Sequence, residues 1–171
     1  MQVSTSYLEW NVFVELAGPD FEDKYCGQWD SEEGVQGVMA IDDQDDFGDS
    51  FFAWDGAREI LSDCVPRKSA WNRFVKEAFI SQTPSPRNDL PCDCDPELIA
   101  AAISNDSVKE IVAPLLDQSF PVTEDDFALA ANDLTREIFP DFKSFREYTQ
   151  SWINIWTKAY ERDLGILYHI G

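Results

Sequence analysis

Carboxylates are the most abundant reactive side chains of this chain, and they are densest at residues 40–55. This stretch, AIDDQDDFGDSFFAWD, contains no lysine or arginine. Its six aspartates are Asp42, Asp43, Asp45, Asp46, Asp49 and Asp55, set among Phe47, Phe51, Phe52 and Trp54. Carboxylates can ligate a hard cation, transfer protons or attract a basic protein surface. Spacing and neighbouring residue types decide among these three kinds of chemistry.

Calcium binding by an EF-hand loop requires acids at positions 1, 3 and 5, glycine at 6 and glutamate at 12. Counted from Asp43, the pattern is met at the third position by Asp45 and at the sixth by Gly48. Positions 5 and 12 are Phe47 and Trp54, whose side chains cannot ligate calcium. The stretch is therefore not an EF-hand, and we predict no cofactor.

Nucleophilic catalysis and zinc binding find little support in the remaining motifs. His169, the only histidine, is two residues from the C-terminus, whereas Cys–His and Ser–His catalysis needs a histidine base. Four thiols, at Cys26, Cys64, Cys92 and Cys94, match no common zinc module in their spacing, so free thiols are expected. With 33 acids in the chain, any one carboxylate pair says little about hydrolysis. We predict that the protein is not an enzyme.

The net charge is the strongest compositional signal. The chain has 33 acids and 13 bases, a net charge of −20, and residues 1–63 alone hold 16 acids against Lys24 and Arg58. Solubility needs only roughly 2–8 net charges in a small domain. Such a field repels nucleic acid and anionic membranes and attracts basic surfaces. Composition therefore predicts a basic protein partner, with no direct nucleic-acid binding.

Hydropathy gives no sign of export or membrane insertion. The first ten residues lack a basic region followed by an apolar run, and no stretch approaches 18 apolar residues. We predict a cytoplasmic protein without membrane contact, in the host cytoplasm if it is phage-encoded.

The first third of the chain has the alternation typical of β-strands. Strands are predicted over residues 7–16, 25–29, 35–41 and 50–54, with the acidic residues 42–49 as the loop between the last two. Within this interpretation Trp54 and one of its neighbouring phenylalanines turn towards the core.

From Gly56 onward the apolar period becomes helical. Helices are predicted over residues 57–63, 66–79, 95–104, 107–116, 123–139 and 142–164, with a proline-rich loop at 81–96. Pro66 is the expected first residue of one helix, Asp141 the expected N-cap of the last, and Gly165 its expected C-cap. Thr123 and Asp126 are expected to form a capping box, and Pro114 is expected to end or kink the helix at 107–116. Core-facing stripes are predicted at Trp71, Phe74, Val75, Ala78 and Phe79, and at Phe127, Ala130, Ala131, Leu134 and Ile138. Residues 166–170 are predicted to form an edge strand.

These elements predict an α+β fold: a small N-terminal antiparallel sheet followed by a helical region of four to five helices. We expect a single domain over residues 1–171, with an acidic β-rich lobe at 1–63 and a helical lobe at 64–171. The sequence leaves the oligomeric state open.

Acidic residues arrayed along strands and helices can imitate a nucleic-acid backbone. Carboxylates fall about 6.6 Å apart at alternate strand positions and about 5–6 Å apart at i and i+4 of a helix. The predicted partner-binding residues are Glu32, Glu33, Asp42, Asp43, Asp45, Asp46, Phe47, Asp49 and Asp55. The alternative is a solvated acidic surface with its aromatic rings turned inward.

Two short segments resemble the ArdA-type antirestriction proteins, which are acidic DNA mimics of similar length. Val12-Phe13-Val14 followed by Gly27-Gln28-Trp29 resembles their opening strand and G-x-W, and residues 159–164 (AYERDL) resemble an aromatic-x-R-D-L stretch near their C-terminus. The resemblance implies an anti-defence mimic of the kind carried by phages and mobile elements.

The favoured function is an inhibitor that occupies the basic nucleic-acid-binding surface of a restriction or CRISPR-type complex. One alternative is an immunity protein or chaperone that neutralises a basic toxin or effector. Another is an enzyme that uses carboxylates or a divalent metal.

Overall fold

The structure, a computed structural model, describes residues 3–16, 18, 20–29, 33–41, 51–79, 88–90 and 99–170. Within these ranges the chain forms one four-stranded antiparallel sheet and eight α-helices, with two short 3-10 turns. The α+β class is therefore confirmed. The helices outnumber the four to five predicted.

Strands from both ends of the chain build the sheet, which is thus not confined to residues 1–63. The strands are β1 (Val3–Leu8), β2 (Val38–Met39), β3 (Ile99–Ile103) and β4 (Gly165–Ile170), in the order β2-β1-β4-β3. β1 and β4 pair along their full lengths, with Tyr7 opposite Ile166. The prediction of an edge strand at 166–170 is wrong, since β4 is central and buried on both faces.

The helices are α1 (Trp10–Phe13), α2 (Phe21–Trp29), α3 (Phe51–Cys64), α4 (Ala70–Ala78), α5 (Asn105–Val112), α6 (Glu124–Ala130), α7 (Asp133–Ile138) and α8 (Phe142–Glu161). The 3-10 turns are Val14–Leu16 and Ala113–Leu115. Within the described ranges, none of the helices is long and apolar enough to cross a membrane.

Aromatic packing dominates the main core, between one face of the sheet and helices α3, α4, α5 and α8. The ring of Trp54 lies 4.4 Å from that of Trp152 and 5.5 Å from that of Tyr168. Both the Tyr168 hydroxyl and the Trp152 indole donate to the carbonyl of Ala78, at 2.7 and 3.3 Å. A smaller cluster around Phe13, centred on α1 and α2, covers the other face. The core position predicted for Trp54 is confirmed.

The strand predicted over residues 7–16 is wrong beyond Leu8. The Phe13 amide donates to the Glu9 carbonyl as in a helix, and Phe13 is fully buried in the smaller cluster. Likewise, residues 25–29 lie in α2, where Phe21 and Tyr25 are buried one turn apart. Of the strand predicted at 35–41, only Val38–Met39 is present.

The strand predicted at residues 50–54 is also wrong, because α3 begins at Phe51. The helix predicted at 95–104 is wrong in turn, since Ile99–Ile103 is a strand. Alanine favours helices, yet residues 101–103 are fully buried between the two clusters, and tertiary burial overrides propensity.

Helix starts and stops in the second half are better predicted. Thr123 and Asp126 form the expected capping box of α6, and Asp141 caps α8. The α-helix α5 ends before Pro114, as expected. The helix predicted to open at Pro66 instead begins at Ala70 with Ser69 as its N-cap, although its stripe from Trp71 to Phe79 is buried as predicted.

Two boundaries near Asn132 and Gly165 differ from the prediction. A second capping box at Asn132 divides the helix expected over 123–139 into α6 and α7. α8 ends at Glu161 rather than 164, and Asp163, with φ of 57°, makes the turn that Gly165 was expected to make. Gly165 begins β4, where a Cβ would stand 2.4 Å from the Ile103 carbonyl oxygen.

Candidate protein-interaction surface

Three carboxylates form a stripe on the outer side of α3. Asp55, Glu59 and Asp63 are all exposed and are spaced by four residues, while Trp54 and Ile60 on the inner side are buried. Side chains four apart on a helix have Cβ atoms about 5–6 Å apart, and like charges at this spacing destabilise a helix by about 0.2–0.5 kcal/mol per pair. The stripe therefore has a cost in stability.

Helices α6 and α7 lie alongside α3 and run in the opposite direction. Near the start of α3, a Cβ on Gly56 would stand 3.3 Å from the Cδ1 of Ile138 in α7. One turn later, Asn132 Nδ2 donates to the Glu59 carboxylate at 3.0 Å. At the end of α3, Asp126 of α6 acts electrostatically on Cys64. Successive turns of α3 thus meet α7 and then α6.

Carboxylates continue on these two helices. Glu124, Asp125, Asp126, Asp133 and Glu137 are all exposed. Some of them have a local structural role, since acids in the first turn interact favourably with the helix dipole. In the capping box, the Thr123 amide and hydroxyl donate to Asp126 at 3.0 and 2.7 Å, and these bonds lower the pKa of that carboxyl.

The acidic face is the name used here for these eight exposed carboxylates of α3, α6 and α7. They are Asp55, Glu59, Asp63, Glu124, Asp125, Asp126, Asp133 and Glu137. Within the described part of the chain, none of the eight forms an ion pair. The two bases on these helices do not neutralise them: Arg58 is half-buried, and Arg136 donates to the carbonyls of Ala131 and Ala128 at 3.2 and 3.1 Å.

The pKa of the Cys64 thiol is affected by carboxylates of the acidic face. Burial raises the pKa of its thiol to about 11, and the neighbouring carboxylates of Asp126 and Asp63 contribute to the increase. Negative charge on both α3 and α6 therefore acts on a single half-buried thiol.

Large apolar side chains stand out from the same three helices. Phe52 on α3 is 74% exposed, Leu129 on α6 is 88% exposed and Leu134 on α7 is 72% exposed. Leu134 had been predicted to belong to the core-facing stripe. Single exposed apolar residues are common on protein surfaces. Here they share their helices with unpaired carboxylates, which gives the acidic face both charge and apolar contact area.

Of the predicted partner-binding residues, Asp55 is part of this face. Glu33 is exposed in the turn that precedes β2. The other seven predicted residues, Glu32, Asp42, Asp43, Asp45, Asp46, Phe47 and Asp49, lie outside the described residues. The prediction missed Glu59 and Asp63, although D-x₃-E-x₃-D is a helical signal once residues 51–64 are read as a helix.

Thiols and metal ligands are dispersed in the described ranges. Cys26 is an exposed free thiol and Cys64 a half-buried one, while Cys92 and Cys94 lie outside those ranges. Among the residues that the structure describes, no group of three or more His, Cys, Asp or Glu side chains is placed to hold a metal ion. Comparison with known proteins gave no relative: the chain matches no family model, no curated protein and no solved structure.

Proposed function

We propose that this protein is an acidic inhibitor that occupies the basic nucleic-acid-binding surface of a DNA- or RNA-handling enzyme. A restriction or CRISPR-type defence complex in the host cytoplasm is the target class. The observation that carries the proposal is the acidic face, in which eight exposed carboxylates lack an ion pair within the described chain. A chain that only needed solubility would gain nothing from lining up like charges along α3.

Charge density supports mimicry of nucleic acid. Four residues of helix rise about 6 Å, so the α3 stripe presents one charge per roughly 6 Å of its length. The α6–α7 row beside it brings the density to about one charge per 3 Å. Duplex DNA carries one charge per roughly 1.7 Å of its axis, which is within a factor of two. A basic channel shaped for a phosphate backbone would attract this face.

Apolar contacts would add affinity to this attraction. Electrostatic complementarity speeds association and fixes orientation more than it tightens binding. Phe52, Leu129 and Leu134 are exposed on the helices that carry the charges, and buried apolar anchors supply most of the energy of typical interfaces. The resemblance to acidic antirestriction proteins supports the same functional class.

A phage-plating assay tests the proposal. Host strains that each carry one defined restriction or CRISPR system are plated with a sensitive phage, with and without the protein. We expect wild-type protein to restore plating in at least one strain. The triple variant Asp55→Lys, Glu59→Lys, Asp63→Lys should abolish the effect, because it changes the α3 stripe from −3 to +3.

A charge-matched control separates the face from the net charge. Glu9→Lys, Glu15→Lys, Glu161→Lys makes the same total change at exposed positions on other elements, and it should retain most of the activity. Equal activity of both triple variants would contradict the role of the acidic face. The quadruple reversal of Asp42, Asp43, Asp45 and Asp46 to lysine tests the acidic stretch separately.

Salt dependence and partner recovery test the mechanism. Inhibition measured in vitro should weaken steeply as salt rises, because the attraction between the two surfaces is screened. A pull-down from host lysate should recover a nucleic-acid-handling enzyme. Recovery of one small basic toxin in its place would replace the proposal with the immunity-protein alternative.

A further inference from the structure

Large apolar side chains are exposed mainly on the helices of the acidic face. Four such side chains are exposed among the described residues, and three of them, Phe52, Leu129 and Leu134, lie on α3, α6 and α7. The fourth is Leu116, which lies on none of these helices. Apolar groups exposed among polar ones often mark interaction sites. How these three are placed among the carboxylates therefore bears on the kind of partner.

On α3 the apolar side chain extends the carboxylate stripe. Phe52 precedes Asp55 by three residues, and Glu59 and Asp63 follow Asp55 at intervals of four. Residues three or four apart lie on the same side of a helix. The exposed side of α3 thus presents one ring followed by three charges, in a row roughly 16 Å long.

The same arrangement occurs on the two neighbouring helices. Leu129 follows Asp125 by four residues and Asp126 by three, and Leu134 precedes Glu137 by three. All five of these residues are exposed. Each helix therefore places an apolar side chain beside a carboxylate on its own surface, and the two kinds of group are interspersed over the face.

A typical protein–protein interface is arranged differently. It has an apolar centre surrounded by a polar rim, and charged residues are depleted from that centre. On the acidic face the three apolar residues come from three helices, and each has a carboxylate three or four residues away. A surface complementary to this face offers cations and apolar contacts side by side.

Proteins that bind nucleic acids differ in whether they have such a surface. Proteins that recognise a duplex contact phosphates and polar base edges, because the faces of paired bases are stacked inside the helix. Proteins that bind a single strand combine a positively charged groove with aromatic side chains on which successive bases stack. Interspersed charges and apolar groups thus match the phosphates and exposed base faces of a single strand.

The charge spacing agrees with this distinction. The acidic face presents about one charge per 3 Å along α3 when the row on α6 and α7 is included. B-form DNA carries one charge per roughly 1.7 Å of axis for the duplex and one per roughly 3.4 Å for each strand alone. The face therefore has the charge spacing of one strand and only about half the density of two.

We infer that the surface occupied by the acidic face is a channel for single-stranded nucleic acid, with aromatic or apolar side chains beside its cations. This inference rests on the proposed inhibition and names its target more narrowly. In the complex, Phe52, Leu129 and Leu134 take the places of bases, and the carboxylates around them take the places of phosphates.

Displacement of the protein from its target tests the inference. The target complex is purified from a strain in which the protein restores phage plating, and binding of the labelled protein is followed by fluorescence anisotropy in 0.15 M salt. The competitors are a 20-nucleotide oligothymidylate, an oligouridylate of the same length and a 20-base-pair DNA duplex, compared at equal phosphate concentration. We expect at least one single strand to displace the protein at about a tenfold lower concentration than the duplex. The stronger single strand identifies DNA or RNA as the natural ligand of the channel.

Failure of the inference is distinguishable from failure of the proposed inhibition. If no strain recovers plating, the inhibition is wrong and the inference falls with it. If plating recovers but the duplex displaces the protein at least as well as both single strands, the inhibition stands and the single-stranded target is wrong. Displacement by none of the three competitors would contradict both, because the protein would then bind outside a nucleic-acid channel.

Removing the apolar side chains tests their role at constant charge. The triple variant Phe52→Ser, Leu129→Ser, Leu134→Ser should weaken binding to the target about tenfold or more, because the contacts that replace base stacking are lost. Its salt dependence should stay as steep as that of wild type, because every carboxylate is kept. Leu116→Ser, at the exposed apolar position outside the acidic face, should leave the affinity unchanged.

Circular dichroism and thermal melts establish that each variant is folded. If the triple variant does not fold, Leu129→Ser alone, at the most exposed of the three positions, should still weaken binding several-fold. Wild-type affinity in the folded triple variant, or in Leu129→Ser where the triple variant is unfolded, would overturn the inference. An equal loss of affinity in Leu116→Ser would do the same.

Discussion

The acidic face and a group of four cations on and near α4 and α8 differ in sign although both lie over the same main core. We call these cations, Arg67, Lys68, Lys76 and Arg146, the basic group. The acidic face leaves eight carboxylates unpaired, and the basic group leaves four cations unpaired, each count being taken within the described residues. In a chain with 33 acids and 13 bases, carboxylates are abundant enough to pair with every cation. The unpaired charges of the two signs instead lie on different helices.

This contrast shows that net charge is a poor guide to local chemistry. A charge of −20 describes the field far from the molecule. Close to the surface, only charges within roughly a Debye length act together. Packing decides which helices become neighbours, so packing also decides where the molecule is locally negative and where it is locally positive.

The largest expected effect comes from forcing α3 and α7 apart. Gly56→Val places a branched side chain where even a Cβ would lie 3.3 Å from Ile138 and 3.7 Å from Thr135. Overpacking of this kind costs about 1–3 kcal/mol. We expect a loss of about 2 kcal/mol in the free energy of unfolding, measured by urea denaturation.

Gly56→Ala is the matched control for Gly56→Val. The favourable helix propensity of alanine, about 1 kcal/mol, offsets the tight contact with the flexible end of Ile138. Its stability should stay within about 1 kcal/mol of wild type. Equal stability of the valine and alanine variants would show that α3 and α7 are not closely packed at this point.

A smaller effect, of opposite sign in the two regions, follows from removing one charge from each. Asp63 and Lys76 both occupy the last turn of their helices, where the dipole disfavours an acid and favours a base. Asp63→Asn should therefore raise the free energy of unfolding by about 0.5 kcal/mol, and Lys76→Gln should lower it by about the same amount.

Salt provides the control for this pair. When urea denaturation is repeated at high salt, the changes in the free energy of unfolding of both variants should approach zero, because exposed charges are screened. A change of the same sign in the two variants would mean that helix propensity, rather than local charge, explains the result. It would also remove the energetic contrast between the two regions.

The smallest effect is a shift in the titration of Cys64. The pKa of this thiol is about 11, with burial as the larger cause and the carboxylates of Asp126 and Asp63 as smaller ones. In a protein with its other cysteines changed to serine, Asp63→Asn with Asp126→Asn should lower this pKa. It should nevertheless remain above the ordinary value of 9.0, because burial persists.

Thiolate absorbance followed against pH measures this shift directly. Replacing Lys76 by glutamine is the control, since this residue belongs to the basic group and is absent from the charges that act on Cys64. An unchanged titration curve in the double asparagine variant would show that the two carboxylates do not converge on the thiol.

Local signals in the sequence predicted several helix boundaries and the net charge. The caps at Thr123 and Asp141, the interruption at Pro114 and the buried stripe of α4 depend on residues within one or two turns of each other. Such interactions are fixed by chain geometry, so a pattern in the sequence identifies them. The charge imbalance likewise needs no folding.

Tertiary contacts decided the rest. The aromatic residues before Asp55 are compatible with a strand or with a helix. In the folded protein they belong to α3, and Trp54 packs against Trp152 and Tyr168. The alternation of apolar residues over 7–16 predicts one long strand, but β1 ends at Leu8. The chain then forms α1, in which Phe13 packs against Phe21 of α2 on the far side of the sheet. Because residues 50–54 were predicted to form a strand, the carboxylate stripe of α3 was not predicted. Carboxylates four residues apart share a face on a helix, which the strand prediction excluded.

The sequence by itself determined how much charge this protein carries and where some of its helices start or stop, as at Thr123 and Asp141. Only the tertiary structure decided that β1 pairs with β4 from the other end of the chain, and that α6 and α7 extend the acidic row of α3. It also decided that the Arg146 guanidinium of α8 lies over the Phe120 ring, 5.6 Å from its centre. The physical reason is that local patterns specify periodicity and caps, whereas the choice of distant partners depends on how apolar faces are buried together.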